Sequence, residues 1–195
     1  MRLQRQHYAG RRRSGERIGL AAAFFTLAAG ALLAAAPLGA TEAPVPGTAA
    51  WSLVHEAGQG YCLAHAFFPR SRLALGFVSD GERVGVALVH GAWRLHEWQE
   101  YDVAFRFDGG PAVRTRLVAT DATAMASELD AEAEQGFRRA SAVEINAPGA
   151  PAGGRLSLAG SARAIDYVRA CGEIAAQNLD PAQAMEEGNA ASIRD

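Results

Sequence analysis

The sequence predicts a mostly β fold with two helices, an antiparallel β-sandwich or barrel packed with a C-terminal helix. Three observations carry that expectation. Between Trp51 and Ala119, apolar residues recur at every second position in short segments. Turn signals such as Ser79-Asp80-Gly81-Glu82 and Asp108-Gly109-Gly110-Pro111 separate those segments at hairpin spacing. After Leu129 the period changes, with Leu129, Ala133, Phe137 and Ala140 at helical spacing.

The elements follow in order. Trp51–His55 and Tyr61–Phe67 read as a first hairpin turned by Gly58-Gln59-Gly60. Arg72–Ser79 places Leu73, Leu75 and Phe77 on one face, and Arg83–His90 turns Val84, Val86 and Leu88 inward. Trp93–Trp98 reads as a further short strand. Tyr101–Phe107 sets Tyr101, Val103, Phe105 and Phe107 against Asp102, Ala104 and Arg106, and Ala112–Ala119 returns beside it. Asp130 caps a helix reaching Ala140, with Gly136 as its weak point. Val143–Ala147 and Leu156–Ala159 are strands around a Pro148–Gly154 loop. Ser161 is expected to cap a last helix that runs to Cys171 and stops at Gly172.

Four regions result: a targeting segment over 1–40, a Pro/Gly/Ala linker over 41–50, a β-rich domain over 51–176 and a polar tail over 177–195. Six arginines and one acid, Glu16, occupy the first seventeen residues, and Ile18–Ala40 is uncharged. A basic start, an apolar stretch and small residues at Leu38-Gly39-Ala40 make a signal peptide cut before Thr41. The same stretch is long enough for an uncleaved inner-membrane anchor, since about 20 apolar residues span a bilayer core. Both readings put the domain outside the cytoplasm, periplasmic or secreted in the first case. Membrane contact is expected only through residues 18–40, if they are retained.

Most of the positive charge belongs to that segment. Six of the 19 cations and one of the 21 acids precede residue 41, so the remainder carries a formal charge of −7. Nucleic acid is therefore a poor partner, because phosphate backbones need clustered cations. The chain has no lysine, which excludes Schiff-base chemistry and a P-loop lysine. Its two cysteines, Cys62 and Cys171, have only each other to pair with in an oxidising compartment. Ile165, Val168 and Cys171 share a helix face, so both sulfurs are expected to meet at one core.

Trp51 opening the first strand, the early Cys62, Tyr101–Gly110 (YDVAFRFDGG), the Leu129–Ala140 helix and Leu156–Ile165 (LSLAGSARAI) together resemble the invasion-associated locus B group of small secreted proteins of Gram-negative bacteria. That group usually has more cysteines through its middle, whereas this chain has none between Cys62 and Cys171. The resemblance implies compartment and fold. It implies no functional residue.

Candidate chemistry is sparse. His55, His65, His90 and His96 lack the HExxH or HxH spacing of a zinc site and read as strand and turn histidines. Glu97, Glu100, Asp102 and Asp108 could supply paired carboxylates, yet acids at strand ends suit any solvated β surface. Gly160-Ser161-Ala162 is not the GxSxG of a serine hydrolase. No catalytic, cofactor-binding or metal residue is assigned, and no cofactor is expected. Trp93, Trp98 and Tyr101 form either a recognition surface or core packing at a strand edge. The expected function is a non-enzymatic binding or accessory protein with a protein partner in the cell envelope. A hydrolase with an unrecognised His/carboxylate site is one alternative, and an inhibitor or immunity-type protein, which the acidic charge would suit, is another.

Overall fold

The alternating segments pair into one antiparallel sheet. The computed structural model describes residues 40–56, 61–148 and 153–178. Within them lie ten strands: β1 (Ala40–Pro44), β2 (Ser52–Glu56), β3 (Cys62–Phe68), β4 (Leu73–Ser79), β5 (Val84–His90), β6 (Glu100–Phe107), β7 (Ala112–Ala119), β8 (Ala124–Glu128), β9 (Ala142–Asn146) and β10 (Gly153–Ser157). Two helices are α1 (Ala131–Arg139) and α2 (Ser161–Asn178). The order across the sheet is β1-β2-β3-β4-β5-β8-β7-β6-β9-β10. The fold class is thus the expected one, with a C-terminal helix, but the sheet does not close into a barrel: β1 and β10 are its edges.

The sheet curls around one core. Phe137 of α1 meets Phe77 of β4 edge-on at 5.2 Å and Phe105 of β6 at 5.0 Å, so rings from both halves converge on one helix. Trp51 stacks on Phe77 at 5.0 Å, and its indole N–H donates to the Ala159 carbonyl at 3.1 Å. That bond joins the chain before β2 to the chain after β10. Asp130 caps α1 by accepting from the Ala133 amide at 2.7 Å. Gly136 suits its helix because the Phe107 ring fills the space a β-carbon would need.

Some expectations need correction. The 41–50 linker is in part a strand: Thr41–Pro44 belong to β1 and pair with β2 in register Thr41↔His55 to Pro44↔Ser52. Trp93–Trp98 is no strand, because the Trp93 amide bonds back to the His90 carbonyl at 3.0 Å and turns the chain. Residues 124–128, without β-branched alternation, become β8 because they fill the slot between β5 and β7. The last short strand is Gly153–Ser157, earlier than expected. Ser161 is the first residue of α2 rather than its cap, and its hydroxyl lies 2.6 Å from the Phe137 carbonyl and 2.7 Å from that of Leu158. Gly172 does not stop α2, which runs on to Asn178, into the stretch read as tail. Its missing side chain serves close approach instead: the Ser79 carbonyl and the Gly81 amide occupy the place of a β-carbon. The targeting segment before Ala40, the Gly58-Gln59-Gly60 turn and the tail after Asn178 lie outside the described residues.

Candidate functional site

The disulfide is formed. Cys62 opens β3 and Cys171 lies on α2, 109 residues away, with Cα atoms 5.8 Å apart, inside the usual disulfide range. Ile165 and Val168, which share its helix face, are fully buried. The bond fastens α2 to the inner face of the sheet beside Gly172. Such a bond belongs to an oxidising compartment.

The aromatic trio divides. It lies in and beside the loop Gly91–Gln99, which links β5 to β6. Trp93 is core, 1% exposed, with its ring centre 5.6 Å from that of His90; the turn at Gly91–Ala92 tips it inward, so it contributes to packing and not to a recognition surface. Trp98 is 58% exposed, with φ at +68°, a left-handed backbone that bulky residues rarely adopt. Tyr101 is half-buried; its hydroxyl accepts from the His96 amide at 2.9 Å and donates to Gln99 Oε1 at 3.3 Å.

The backbone around Trp98 is fixed from several sides. Leu95 N–H donates to Ala122 O, Trp98 N–H to Ala119 O and Ala119 N–H to Gln99 O, each at 2.9 Å. Gln99 N–H closes a turn on His96 O at 3.1 Å. Ala119 ends β7 and Ala122 lies in the β7–β8 turn, which Asp121 organises by accepting from Thr123 N and Ala124 N at 2.6 and 3.0 Å. These acceptors are main-chain carbonyls with no side-chain signature in the sequence. The available signal was Asp121 two residues before Thr123, an Asx-turn pattern.

The other candidates have separate tasks. His65 Nε2 lies 3.5 Å from Glu42 Oε1, His90 Nδ1 accepts from the Ala92 amide at 3.2 Å, and His96 is exposed in the loop. His55 pairs across to Cys62 along the backbone, not to His65. Among the described residues no three His, Cys, Asp or Glu side chains are grouped to hold a metal ion. Glu100 pairs with Arg116 at 3.0 Å, and Glu97 is exposed. Asp102 lines a shallow hollow of about 190 Å³ with Ala104, Arg114 and Asn146. Asp108 accepts from Ser141 Oγ at 2.7 Å and from the Ser141 and Ala142 amides at 3.0 Å. The Ser141 hydroxyl first, then the amides and Arg155, hold the Asp108 carboxyl below the usual carboxylate range. That carboxylate clamps the turn after β6 to the start of β9.

No helix among the described residues is long and apolar enough to cross a membrane. No family model matches the chain, and no curated protein does. Among solved structures it is similar to the crystal structure of invasion associated protein B from Bartonella henselae, at 15% identity, over 68% of this chain and 99% of that one, with a TM-score of 0.48. The likeness is weak.

Proposed function

We propose that this chain is an exported envelope protein, periplasmic or secreted, that acts by contact with another protein. One observation carries the reading: the Trp98 indole is more than half exposed on a backbone tied down by main-chain hydrogen bonds. A binding surface uses rigid aromatics as anchors. The disulfide and the arginine-rich, then apolar, start of the sequence support export. The motifs shared with the invasion-associated locus B group fit the same description. Against a hydrolase stands the employment of three of its candidate groups: His90, Glu100 and Asp108 are each bound into a turn or an ion pair. An inhibitor would also act by contact, and the charge of −7 suits a basic target.

The test is fractionation of intact cells, alkylation before and after reduction, and intact mass. The expected result is an extracytoplasmic chain beginning near Thr41 with both thiols blocked until reduction. A membrane-bound full-length chain would replace cleavage by the anchor and keep the compartment. A cytoplasmic pool with both thiols alkylated without reductant would overturn the export reading.

A further inference from the structure

We infer that the hollow on the outer face of β6, β7 and β9 is a binding site for the zwitterionic end of an α-amino acid, with Arg114 taking the carboxylate and Asp102 the ammonium. The cross-strand register builds it. Ala104 of β6 stands between Arg114 of β7 and Asn146 of β9 in one row. Asp102 precedes Ala104 by two residues on the same face, and Pro148, two residues beyond Asn146, closes that side. A methyl group surrounded by longer side chains leaves the hollow of about 190 Å³ that these residues line. Main-chain pairing on both sides of β6 fixes its floor, so Asp102, Arg114 and Asn146 are presented from paired strands and not from a loop.

The charges on this face decide the ligand. Arg116 is taken by Glu100 at 3.0 Å and Arg155 by Asp108 at 3.3 Å, while Arg106 lies opposite Glu144 in the next row, so these charges offset one another. Asp102, Arg114 and Asn146 are exposed, and among the described residues their side chains have no hydrogen bond or ion pair within the chain. A lone anion would meet Asp102 as well as Arg114, and a lone cation would meet Arg114 as well as Asp102. A group that carries both charges satisfies both. The guanidinium binds a carboxylate through two parallel N–H donors, the Asn146 amide adds a donor beside it, and Asp102 accepts from the ammonium. The volume is below the roughly 300–1,000 Å³ of pockets that enclose drug-sized ligands, so it suits one small group whose carrier extends into solvent. No aromatic ring is among the described residues that line it, so a sugar has no face to stack on.

The experiment titrates small probes into the isotope-labelled exported protein, purified from cells, and follows backbone amide signals by NMR. Alanine should move the Ala104 and Asn146 signals saturably. Propionate, with the carboxylate alone, and ethylamine, with the ammonium alone, should bind about tenfold more weakly, the size of one lost charged hydrogen bond. Arg114→Gln should weaken both alanine and propionate, whereas Asp102→Asn should weaken alanine and leave propionate as tight or tighter. Ala104→Asp fills the hollow and offers Arg114 a carboxylate from within the chain, so it should abolish the alanine shift with an unchanged melting temperature. Nε-acetyl-lysine separates two sources of the group: binding equal to that of alanine means a zwitterion borne on a larger carrier, and binding of alanine alone means the free amino acid. Propionate as tight as alanine in the parent would overturn the inference in favour of an anion site. Glucose moving the same signals while alanine does not would replace the zwitterion by a sugar. No saturable shift with any probe would sink the site, and none of these outcomes touches the contact function.

Discussion

β4 and β5 are dry on both faces, whereas β6 and β7 keep one face in water, although all four belong to one sheet. Every residue of Leu73–Ser79 and Val84–His90 is buried. Their inner face carries Leu75, Phe77, Val86 and Leu88; their outer face carries Ala74, Gly76, Val78, Gly85, Ala87 and Val89. The outer set is small, and larger neighbours lie over it: Leu63 of β3 reaches across Gly76, and Leu63 clusters with Tyr61 and Val78. On β6 and β7 the outer positions are Asp102 opposite Arg116, Ala104 opposite Arg114, and Arg106 opposite Ala112, with Glu144 of β9 on its other side. The contrast separates two ways of finishing a sheet. One half lays side chains of its own strands over glycine and alanine; the other hydrates a ladder of charges.

The disulfide belongs to the dry half, and its removal offers the largest effect. Cys62 and Cys171 close a loop of 109 residues, for which the chain-entropy model allows about 4–5 kcal/mol. The double Cys→Ala variant should lose roughly that much in urea unfolding, minus what relaxation returns. The loss should fall on α2 with β2, β3 and β4, the strands it packs against, so hydrogen-exchange protection should drop there before it drops in β6 and β7. Uniform loss over both halves would show that the sheet opens as one unit.

The same contrast explains how much was readable in advance. On β6 the alternation of Tyr101, Val103, Phe105 and Phe107 with Asp102, Ala104 and Arg106 reports a wet face directly, and the strand ran where it was expected. On β4 and β5 the alternation of large and small residues gave the inner face correctly. It hid the burial of the other face, because Gly and Ala are compatible with either environment. β8 was invisible for the same reason: in Ala124–Glu128, Ala and Ser carry little strand preference, and the slot beside β5 decides. Gly172 misled because one residue type both ends helices and permits close approach. At the candidate site, sequence named all three aromatics but could not say which one the turn at Gly91–Ala92 would bury.

A paired substitution breaks or sharpens the comparison most directly. Ala87 on β5 and Ala104 on β6 both point away from the core, between neighbouring strands. Ala87→Asp puts a carboxylate between Gly76 and Ala126, where no partner faces it, and should cost about 3 kcal/mol. Ala104→Asp faces Arg114 and Asn146 at a half-exposed position and should stay within about 0.5 kcal/mol of the parent. Equal losses in thermal or urea unfolding would mean that the two outer faces are not different environments.

The smallest effect comes from the only histidine in that same cross-strand row. His65 stands on β3 opposite Ser52 and Gly76, and Gly76 in turn opposes Ala87. Its side chain is 16% exposed, and Nε2 lies 3.5 Å from Glu42 of the edge strand β1. Burial lowers its pKa from the ordinary 6.5, and the Glu42 carboxylate acts more weakly in the opposite direction. The sign follows from proton counting. As pH falls through 6.5 the unfolded imidazole takes up a proton while the folded one resists, so the unfolded state binds more protons. This contribution is therefore fully present above the unfolded value and lost as pH drops from there through the lowered folded value. The urea midpoint should decline between about pH 7.5 and pH 5 and decline less in His65→Gln. A midpoint that rises on acidification in the parent but not in the variant would show that the charged pair with Glu42 outweighs burial, and that this end of the outer face is wet like β6 rather than dry like β5.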